Sequence, residues 1–584
     1  MFNRPGIPPR TGKPRDPVPL PRAAAPRRTA HRLWHRLGSL LVAAVAALLA
    51  ALPCPLAHAA DPAAVGEAIY LHGTLGSGQP LVATREGGMR IQGADAACVN
   101  CHQHSGLGAR EGNKSIPPIT ARYLTHPRAS RYQDLDLPYV DGIRADRDPY
   151  TDTTIARAIR QGLNSEGKPL DYLMPHFALG DADMAALIAY LKRLDPRDLP
   201  GVTDTVLHFA TIITPDADPV KRRGMLDVLE HFFADKNAFT RGPSPRLLST
   251  HIVKFKANRR WQLHVWQLSG PPDTWQAQLK RHLADEPVLA VISGLGGRTW
   301  APVHAFCEQA AVPCLFPNVD APPPDADRDF YSVYFSKGVL LEAGLIAHGI
   351  LEPEDGSVAK RVRQVYRAGD SGEAGAQALA EALGRHGIKV ENRALARGKP
   401  GQGVAAAMRG LTDADALVLW LRPQDIAALD KLPPPAGSVF MSGLLGGLES
   451  APLPASWRNS TRLAYPVGLP QQRLINLDFA LGWFRIRQIP VVDLRVQADT
   501  YLACGLLSEA LSHMVDTFVR DYLVENIQDM VEHRIITGYY PRLSLAAGQR
   551  FASKGGYLAH FDTSRGAGVI ADHGWLVPPS DASP

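Results

Sequence analysis

Residues 98–102 read CVNCH, and this stretch decides how the first folded domain is interpreted. Two thiols three residues apart on a helical turn reach the two vinyl groups of one haem, and the next residue presents an imidazole to the iron. The alternatives are a redox C-x-x-C pair and half a zinc site. The flanking sequence lacks the βαβ setting that a redox C-x-x-C pair would have. It also lacks the second pair of ligands that a zinc site would need. The spacing therefore predicts one covalent haem c, attached through Cys98 and Cys101, with His102 as an axial ligand of the iron.

A six-coordinate haem iron needs a second axial ligand, most often a methionine. Met174 lies in the stretch DYLMPHF, which Pro175 interrupts and which therefore indicates a loop. Met184 lies on the apolar stripe of the following segment, LGDADMAALIAYLKRL, and is expected in the core of a closing helix. Met174 is therefore the predicted distal ligand. The alternative ligands are His104, His126 and His176.

This part of the chain resembles single-haem class I cytochrome c domains. The matching features are CVNCH, the segment Pro117-Pro118-Ile119, IARAIRQGLNSEGKPL, the Met-Pro loop and a terminal helix that ends in AYLKRL. The resemblance covers residues 62–196 and implies a small all-α fold around one haem, His102/Met174 ligation and one-electron transfer. One departure from the pattern, from Thr125 to Thr151, is expected to form a loop insertion beside the haem edge.

The positive charge of the chain lies in its first 59 residues. That stretch holds nine basic residues and one acidic residue, so its net charge is +8. Because the whole chain has a net charge of +6, the other 525 residues together have a net charge of −2. The sequence pI of 8.9 is therefore a property of the leader and gives no reason to expect a nucleic-acid partner.

The leader has the three parts of an export signal. An uncharged apolar run from Leu37 to Ala57 follows the basic arm, and Ala57-His58-Ala59 offers small residues at the positions that a signal peptidase requires. We expect cleavage after Ala59 and a periplasmic location, where haem is attached after translocation. The alternative is an uncleaved membrane anchor, because the run is long enough to span a bilayer.

Beyond residue 205 the pattern changes to short apolar runs that alternate with amphipathic helices. This alternation predicts parallel sheets covered by helices on both faces, and the length favours two doubly wound lobes. The expected strands lie at 206–214, 261–268, 288–293, 312–316, 361–366, 416–421 and 438–442.

The order of these pieces resembles type I periplasmic binding proteins, especially those for branched-chain amino acids and related amides. The segments on which this resemblance is based are VLAVISGLGGRTWAPVHAFCEQ, AVPCLFPNVDAPP, VYRAGDSGEAGAQAL and PRLSLAAGQRFASKGGYLAHF. The resemblance implies a ligand cleft between two lobes, with the loop Ser293–Thr299 presenting backbone N–H groups to a carboxylate. Its candidate cleft residues are Arg298, Thr299 and Asp370. The alternatives are a solvated arginine and a helix cap.

Three cysteines remain for this second module. Cys307 and Cys314 are seven residues apart, one on a helix and one on the next strand, and an oxidising compartment permits a disulfide between them. The alternative is two buried apolar thiols. Cys504 is expected in the core of a helix.

The sequence thus predicts a multidomain chain: an all-α cytochrome c domain followed by a two-lobed, doubly wound α/β domain. Its predicted parts are a basic arm and signal peptide at 1–59, the haem domain at 62–196, a linker at 197–204, the binding-protein-like domain at 205–575 and a tail at 576–584.

The leading functional hypothesis is a periplasmic electron carrier that catalyses no bond chemistry and has no catalytic residues. Its redox partner would be a periplasmic dehydrogenase or another cytochrome, and its second module would dock that partner or bind a small molecule. The alternative is a solute receptor for an amino acid-like or amide-like ligand, in which the haem domain is accessory. A dihaem peroxidase would need a second C-x-x-C-H, which the sequence lacks.

Overall fold

The structure is a computed structural model. It describes residues 61–111, 114–125, 147–194, 199–240, 259–353, 356, 359, 361–411, 415–514, 517–533, 538–546, 548–562 and 568–579. The leader, His126 and residues 126–146 of the expected loop insertion lie outside this part of the chain. The chain divides between Asp61 and Pro62, and residues 62–584 form one unit. Within the described residues, no helix has the length and apolar character needed to cross a membrane.

The haem domain is mainly helical, but it is not all-α. A three-stranded antiparallel sheet of order β2-β1-β5 and a β3-β4 hairpin accompany the helices. Its helices are α1 Pro62–His72, α2 Val99–His102, α3 Ala121–Thr125, α4 Asp152–Gln161 and α5 Asp181–Leu191. Its strands are β1 Val82–Thr84, β2 Arg90–Gln92, β3 Arg110–Glu111, β4 Lys114–Ser115 and β5 His176–Phe177.

The first and last helices of this domain cross at very short range. A Cβ atom at Gly66 of α1 would lie 2.1 Å from the carbonyl oxygen of Ala186 in α5, so only glycine permits this approach. Beside the crossing, the rings of Tyr70 and Tyr190 lie 5.2 Å apart, and the Tyr70 hydroxyl donates to the carbonyl of Gln103 at 2.6 Å. The crossing therefore holds the turn that follows the C-x-x-C-H segment.

The second module contains the seven strands expected from the sequence, together with six others. Its strands are β6 Val206–Ile213, β7 Arg260–Gln267, β8 Ala290–Ile292, β9 Cys314–Leu315, β10 Ser332–Ser336, β11 Arg361–Arg367, β12 Lys389–Leu395, β13 Asp415–Trp420, β14 Val439–Ser442, β15 Thr461–Tyr465, β16 Phe551–Ser553, β17 Tyr557–Asp562 and β18 Gly568–Ala571.

Helices separate most of these strands, as the alternating pattern predicts. They are α6 Pro219–Thr240, α7 Trp275–Asp285, α8 Ala301–Gln309, α9 Val339–Leu351, α10 Gly372–Gly384, α11 Val404–Ala407, α12 Pro423–Ile426, α13 Gly443–Gly446, α14 Ala455–Arg458, α15 Pro470–Arg487, α16 Leu494–Met514 and α17 Arg520–His533.

The strands form two separate sheets. Sheet A has the order β16-β10-β9-β8-β6-β7, and all its pairings are parallel. Sheet B has the order β12-β11-β13-β14-β15-β17-β18. Its pairings from β12 to β15 are parallel, and the β15–β17 and β17–β18 pairings are antiparallel. The strands β16 and β17 follow one another in the chain but belong to different sheets, so the end of the chain completes both.

Two segments are more tightly held than their sequences suggest. In the expected linker, a Cβ atom at Gly201 would lie 2.2 Å from the backbone nitrogen of Leu289, so this part packs against the strand that begins at Ala290. In the expected tail, Leu576 pairs with Gly556 through hydrogen bonds of 2.8 and 2.9 Å. The ordered α/β module therefore continues past residue 575.

Candidate functional site

A cavity of about 470 Å³ lies inside the haem domain and reaches the protein surface beside exposed residues such as Arg85 and Asn100. That volume falls in the range of cofactor sites, roughly 300–1,000 Å³. Most of its walls are apolar. The chemically distinctive side chains on its lining are Cys98, Cys101, His102 and Met174. The structure therefore brings the four residues predicted from the sequence to one cavity.

His102 is held in the form that suits a metal ligand. Its Nδ1 atom lies 3.1 Å from the carbonyl oxygen of Pro117. Because a carbonyl only accepts, Nδ1 carries the proton and Nε2 keeps its lone pair. Burial lowers the pKa of His102 to about 4, although the Pro117 carbonyl opposes the shift, so the ring is neutral at physiological pH.

The two cysteines of the motif are half-buried and are not joined by a disulfide bond. Burial raises the pKa of the Cys98 thiol to about 12. A reactive redox thiol has a lowered pKa, which the buried Cys98 thiol does not have. Among the described residues, no group of three or more His, Cys, Asp and Glu side chains is placed to hold a metal ion.

Met174 lies on a turn that an aspartate stabilises. The backbone N–H of Leu173 donates to the Asp171 carboxylate at 3.1 Å, and the N–H of Met174 donates to the Asp171 carbonyl at 3.0 Å. The same carboxylate pairs with Lys114 Nζ at 2.7 Å. Lys114 and Asp171 both line the cavity, so this ion pair anchors the methionine turn to its wall.

The alternative ligands have other environments. Met184 is 3% exposed and belongs to the core of the haem domain, as its position on the apolar stripe predicts. His176 lies on β5, with an exposed side chain. Neither lines the cavity.

The third alternative, His104, lies at the contact between the haem domain and the α/β module. Its ring stacks on Phe330 with the centroids 3.8 Å apart. The guanidinium of Arg550 lies 4.9 Å from the centre of the same Phe330 ring. Burial, together with the Arg550 charge, lowers the pKa of His104 to about 4. His104 therefore contacts the second module as a neutral ring.

Helix α17 provides the polar part of this contact. Ser105 donates to the Glu525 carboxylate twice, from its backbone N–H at 2.9 Å and from its hydroxyl at 2.6 Å. One helical turn earlier, Asp521 accepts a hydrogen bond of 2.7 Å from the Tyr331 hydroxyl, a contact within the α/β module itself. Burial raises the pKa of Glu525 to about 8. Ser105 is only three residues from His102, so the segment that carries the haem motif is itself the surface that meets the second module.

The loop expected to receive a ligand carboxylate binds a carboxylate of this chain. The backbone N–H of Arg298 donates to Asp216 at 2.9 Å, and Thr214 donates to the same side chain at 2.8 Å. The Arg298 guanidinium is more than half exposed, with its Nε atom 3.8 Å from Asp216. The Thr299 hydroxyl accepts from the N–H of Ala301, at the start of α8.

Asp370 takes part in an ion-pair chain between the two sheets. Arg422, just after β13, donates to both oxygens of Asp370 at 2.8 Å and to Asp320 at 3.1 Å. Arg495 donates to the other Asp320 oxygen at 3.0 Å. Burial alone would raise the pKa of Asp320, but Lys221, Arg422 and Arg495 hold it below its usual range.

A second cavity, of about 20 Å³, lies next to this chain of charges, between residues of both sheets. Its polar lining includes Arg495, Asp499 and Tyr540. Among the described residues, Asp499 Oδ1 has no hydrogen-bond partner, and burial raises the Asp499 pKa to about 7 against the opposing charge of Arg495. None of the predicted residues Arg298, Thr299 and Asp370 lines this cavity.

Cys307 and Cys314 lie against each other in the core beside sheet A. Both are buried thiols, and Cys307 is hydrogen-bonded to Cys314. Burial, reinforced by that contact, raises the pKa of Cys307 well above its usual value. The structure places the pair in contact as thiols, and the disulfide stays a prediction.

Sequence reasoning missed the residues that join the two parts of the molecule. Glu525 is one of several acidic residues in the segment 520–533, and an acidic residue on a helix usually lies on a solvated face. Arg422 follows the apolar strand run 416–421, a position where parallel sheets often carry functional side chains. The position of Arg422 directly after a predicted strand could have marked it as a functional residue. No local feature of the sequence identifies Glu525 as the partner of Ser105.

Residues 91–195 match the family model for Cytochrome c. The comparison with curated proteins finds no match. Similar solved structures include a leucine-binding protein LivK from Thermotoga maritima, with 13% identity, 64% of this chain and 99% of that chain covered, and a TM-score of 0.45. A fatty acid ABC transporter substrate-binding protein from Thermomonospora curvata has 14% identity, 65% and 95% coverage, and a TM-score of 0.48.

A third similar structure is LivJ from Streptococcus pneumoniae in complex with isoleucine, with 12% identity, 63% and 98% coverage, and a TM-score of 0.43. At these identities and TM-scores the likeness says nothing about what this chain binds. The chain therefore carries a cytochrome c domain, followed by a mixed α/β module whose structural neighbours are periplasmic binding proteins.

Proposed function

We propose that this protein is an exported electron carrier with one c-type haem, attached through Cys98 and Cys101 and ligated by His102 and Met174. The observation that carries the proposal is the apolar cavity that these four side chains line together. A c-type haem, when bound, supplies reversible one-electron transfer.

The residues around the cavity prepare it for such a group. The Pro117 carbonyl fixes the His102 tautomer and orients its Nε2 atom, and the Asp171 turn positions Met174. The apolar walls keep water from the interior, and His/Met ligation raises the reduction potential. No residue is assigned a catalytic role, so the proposed function is electron transfer without bond chemistry.

The redox partner is proposed to dock on the side of the haem domain away from α17. The surface around His104 and Ser105 is covered by the α/β module. The cavity instead reaches solvent near Asp171, beside the exposed Tyr172. A periplasmic dehydrogenase or another cytochrome is the proposed class of partner, since such proteins exchange single electrons with c-type haem.

A direct experiment is the spectrum of the exported full-length chain, produced with a c-type haem maturation system. We expect reduced-minus-oxidised bands of a c-type haem that stays attached after denaturation, and a mass increase of one haem. The Cys98→Ala/Cys101→Ala variant should lose all covalent haem. Cys504→Ala is the matched control, because that thiol is buried in α16, and it should retain haem. A wild-type protein without a c-type band refutes the proposal.

The second candidate function is a solute receptor, and one observation favours it. Asp499 Oδ1 is a buried acceptor without a partner among the described residues, beside Arg495 and a small cavity between the sheets. At about 20 Å³ this cavity holds about one water molecule. Solute binding is therefore proposed to require the two sheets to move apart, as in a two-lobed module that closes on its ligand.

Thermal-shift measurements separate the two candidates. The haem-loaded chain is screened against amino acids, amides and small carboxylic acids. A shift that Asp499→Asn abolishes supports the receptor. No shift across the panel favours a module that only docks a protein.

Export through the leader is also part of the proposal. Cleavage after Ala59 would remove the +8 segment and leave a chain with a net charge of −2. The N-terminal sequence of the protein recovered from the periplasm tests this. A chain recovered in the membrane with Met1 intact indicates an anchor instead.

A further inference from the structure

Helix α15 carries an apolar stripe on its solvent-facing side. The opposite side of the helix, including Ala480 and Phe484, is buried in a small core. The large residues of the stripe are between 69% and 76% exposed. Soluble proteins seldom leave a contiguous ridge of this kind uncovered unless it binds something. The stripe consists of Ile475, Phe479, Gly482 and Ile486.

The spacing of this stripe is the same from either end. Successive residues of the stripe are four, three and four positions apart, which is the spacing of the contacting residues in a pair of packed helices. If two copies of α15 meet antiparallel about a two-fold axis between Ala480 and Leu481, each Ile475 faces the other copy's Ile486. Phe479 then faces Gly482. A surface that complements itself in this way is what a two-fold dimer requires.

The two central residues of the stripe, Phe479 and Gly482, are a large and a small residue that can pack against each other across such a contact. Phe479 projects a large ring that is 69% exposed. Among the described residues, a Cβ atom at Gly482 would meet no other atom within 4 Å, so they leave the space above that glycine open. A ring from a second copy fits against the bare backbone, and both copies make this contact at once.

The flanking charges agree with the same pairing. Asp478 and Arg485 lie on one flank of the stripe, and the two-fold axis brings the same flanks of the two copies together. Along the helix axis, Asp478 of one copy then lies about 3 Å from Arg485 of the other, because two residues separate their positions. Asp478 has no ion-pair partner among the residues that the structure describes, and the Arg485 Nε atom reaches only the Leu481 carbonyl, at 3.4 Å.

We propose that two copies of this chain associate through α15 in an antiparallel, two-fold contact. The stripe is about 17 Å long, eleven residues at 1.5 Å each. The proposal is independent of the haem, because no residue of the stripe lines the haem cavity.

The test measures the mass of the haem-loaded, full-length exported chain in solution, by light scattering and sedimentation over a range of concentrations. We expect the wild type to be a dimer. Gly482→Leu should weaken the dimer at least about tenfold, because the new side chain occupies the space that Phe479 needs. The same change should leave the monomer folded, since no residue in the described part of the chain lies within 4 Å of the added Cβ atom. Val577→Ser, another exposed apolar site, is the control and should remain dimeric.

A charge exchange tests the register. Asp478→Arg and Arg485→Asp should each weaken the dimer, because each places like charges opposite one another. The double variant should restore it. A dimer that survives Gly482→Leu, or a double variant that stays monomeric while both single variants are folded, overturns the proposed contact.

A wild type that is monomeric at high micromolar concentration also overturns the proposal. Sedimentation of such a monomer with vesicles of anionic phospholipid, abolished by Phe479→Ser, would assign the stripe to a membrane surface instead.

Discussion

The haem cavity and the gap between the two sheets are both enclosed by the folded chain, but they are built in opposite ways. The first measures about 470 Å³, and its walls are mostly apolar apart from the C-x-x-C-H side chains and Met174. The second measures about 20 Å³, and its lining includes the charged residues Arg495 and Asp499. The charges at the second site neutralise one another through Arg422, Asp320, Asp370 and Arg495.

The contrast shows how the two sites obtain their stability. In the first cavity the chain supplies the proposed ligands and apolar walls, and a bound haem would supply the packing. Between the sheets the chain supplies both charges of each ion pair, although Asp499 Oδ1 lacks a hydrogen-bond partner among the described residues. A cofactor is therefore expected to be permanent at the first site, whereas any solute at the second must compete with existing ion pairs.

The largest effect is expected from the distal ligand. Met174→Ala should remove the thioether from the iron, abolish the charge-transfer band of Met-ligated ferric haem and lower the reduction potential, because His/Met ligation raises it. Met184→Leu, a buried core change of similar volume, should keep both. Spectroelectrochemical titration measures the effect. An unchanged potential in Met174→Ala would show that another residue is the sixth ligand.

The next effect concerns the ion pairs between the sheets. Arg422→Ala should lower the free energy of unfolding by about 3 kcal/mol, because Asp320 and Asp370 are left without their shared partner. Arg298→Ala, which removes an exposed guanidinium, should change it by less than about 0.5 kcal/mol. Urea unfolding monitored by tryptophan fluorescence compares them. Equal effects would mean that the charges between the sheets do not hold this region together.

A smaller effect is expected at Cys307 and Cys314. If the exported protein joins them, denatured samples should show one alkylatable thiol, Cys504, apart from the haem-linked pair. Reduction should then cost about 2 kcal/mol, the chain-entropy value for a loop of this length. Mass spectrometry after alkylation counts the thiols. Three alkylated thiols in the unreduced, exported protein would contradict the disulfide.

The smallest effect is a pH dependence at the contact between the haem domain and α17. Burial raises the pKa of Glu525 to about 8, above its unfolded value of 4.5. Between these values the folded protein holds a proton that the unfolded chain has lost, so its stability falls as pH rises through this window and then levels off. The facing groups are Ser105, which donates to Glu525, and the charges of Asp521 and Arg550.

Glu525→Gln should flatten that dependence and raise stability at neutral pH, because the neutral amide needs no proton uptake on folding and can still pair with Ser105. Unfolding curves between pH 5 and pH 9 compare the variant with the wild type. Asp529→Asn, on the same helix, is the control. An identical slope in Glu525→Gln and the wild type would place the titrating group elsewhere.

The sequence was most informative where function depends on local spacing. CVNCH placed two thiols and an imidazole on one helical turn, and a proline-broken loop was enough to separate Met174 from the core residue Met184. Seven strands of the second module were equally easy to predict, because buried parallel strands are continuous apolar segments of the sequence. The short strands of the haem domain were missed, since two-residue and three-residue strands such as His176–Phe177 have no periodicity to read.

Long-range pairings were beyond reach from the sequence for a physical reason. The Ser105–Glu525 contact joins residues 420 positions apart, and neither residue is unusual among its neighbours. The loop Ser293–Thr299 was expected to bind the carboxylate of a ligand through backbone N–H groups, and that ligand site stays a prediction. The carboxylate that the structure places there belongs to Asp216, which only the fold brings close.

The position of Glu525 so late in the chain also sets an order of events during biosynthesis. If the chain is exported as proposed, it crosses the membrane from its N-terminus, so the C-x-x-C-H segment emerges long before α17, and before the strands from β16 onward complete the two sheets. The cysteines and His102 are therefore accessible to a haem-attaching enzyme while their later cover does not yet exist. Once the last strands arrive, the same segment is enclosed on one side. Maturation is thus naturally ordered, with attachment first and enclosure second, and a chain truncated before α17 should still accept its cofactor.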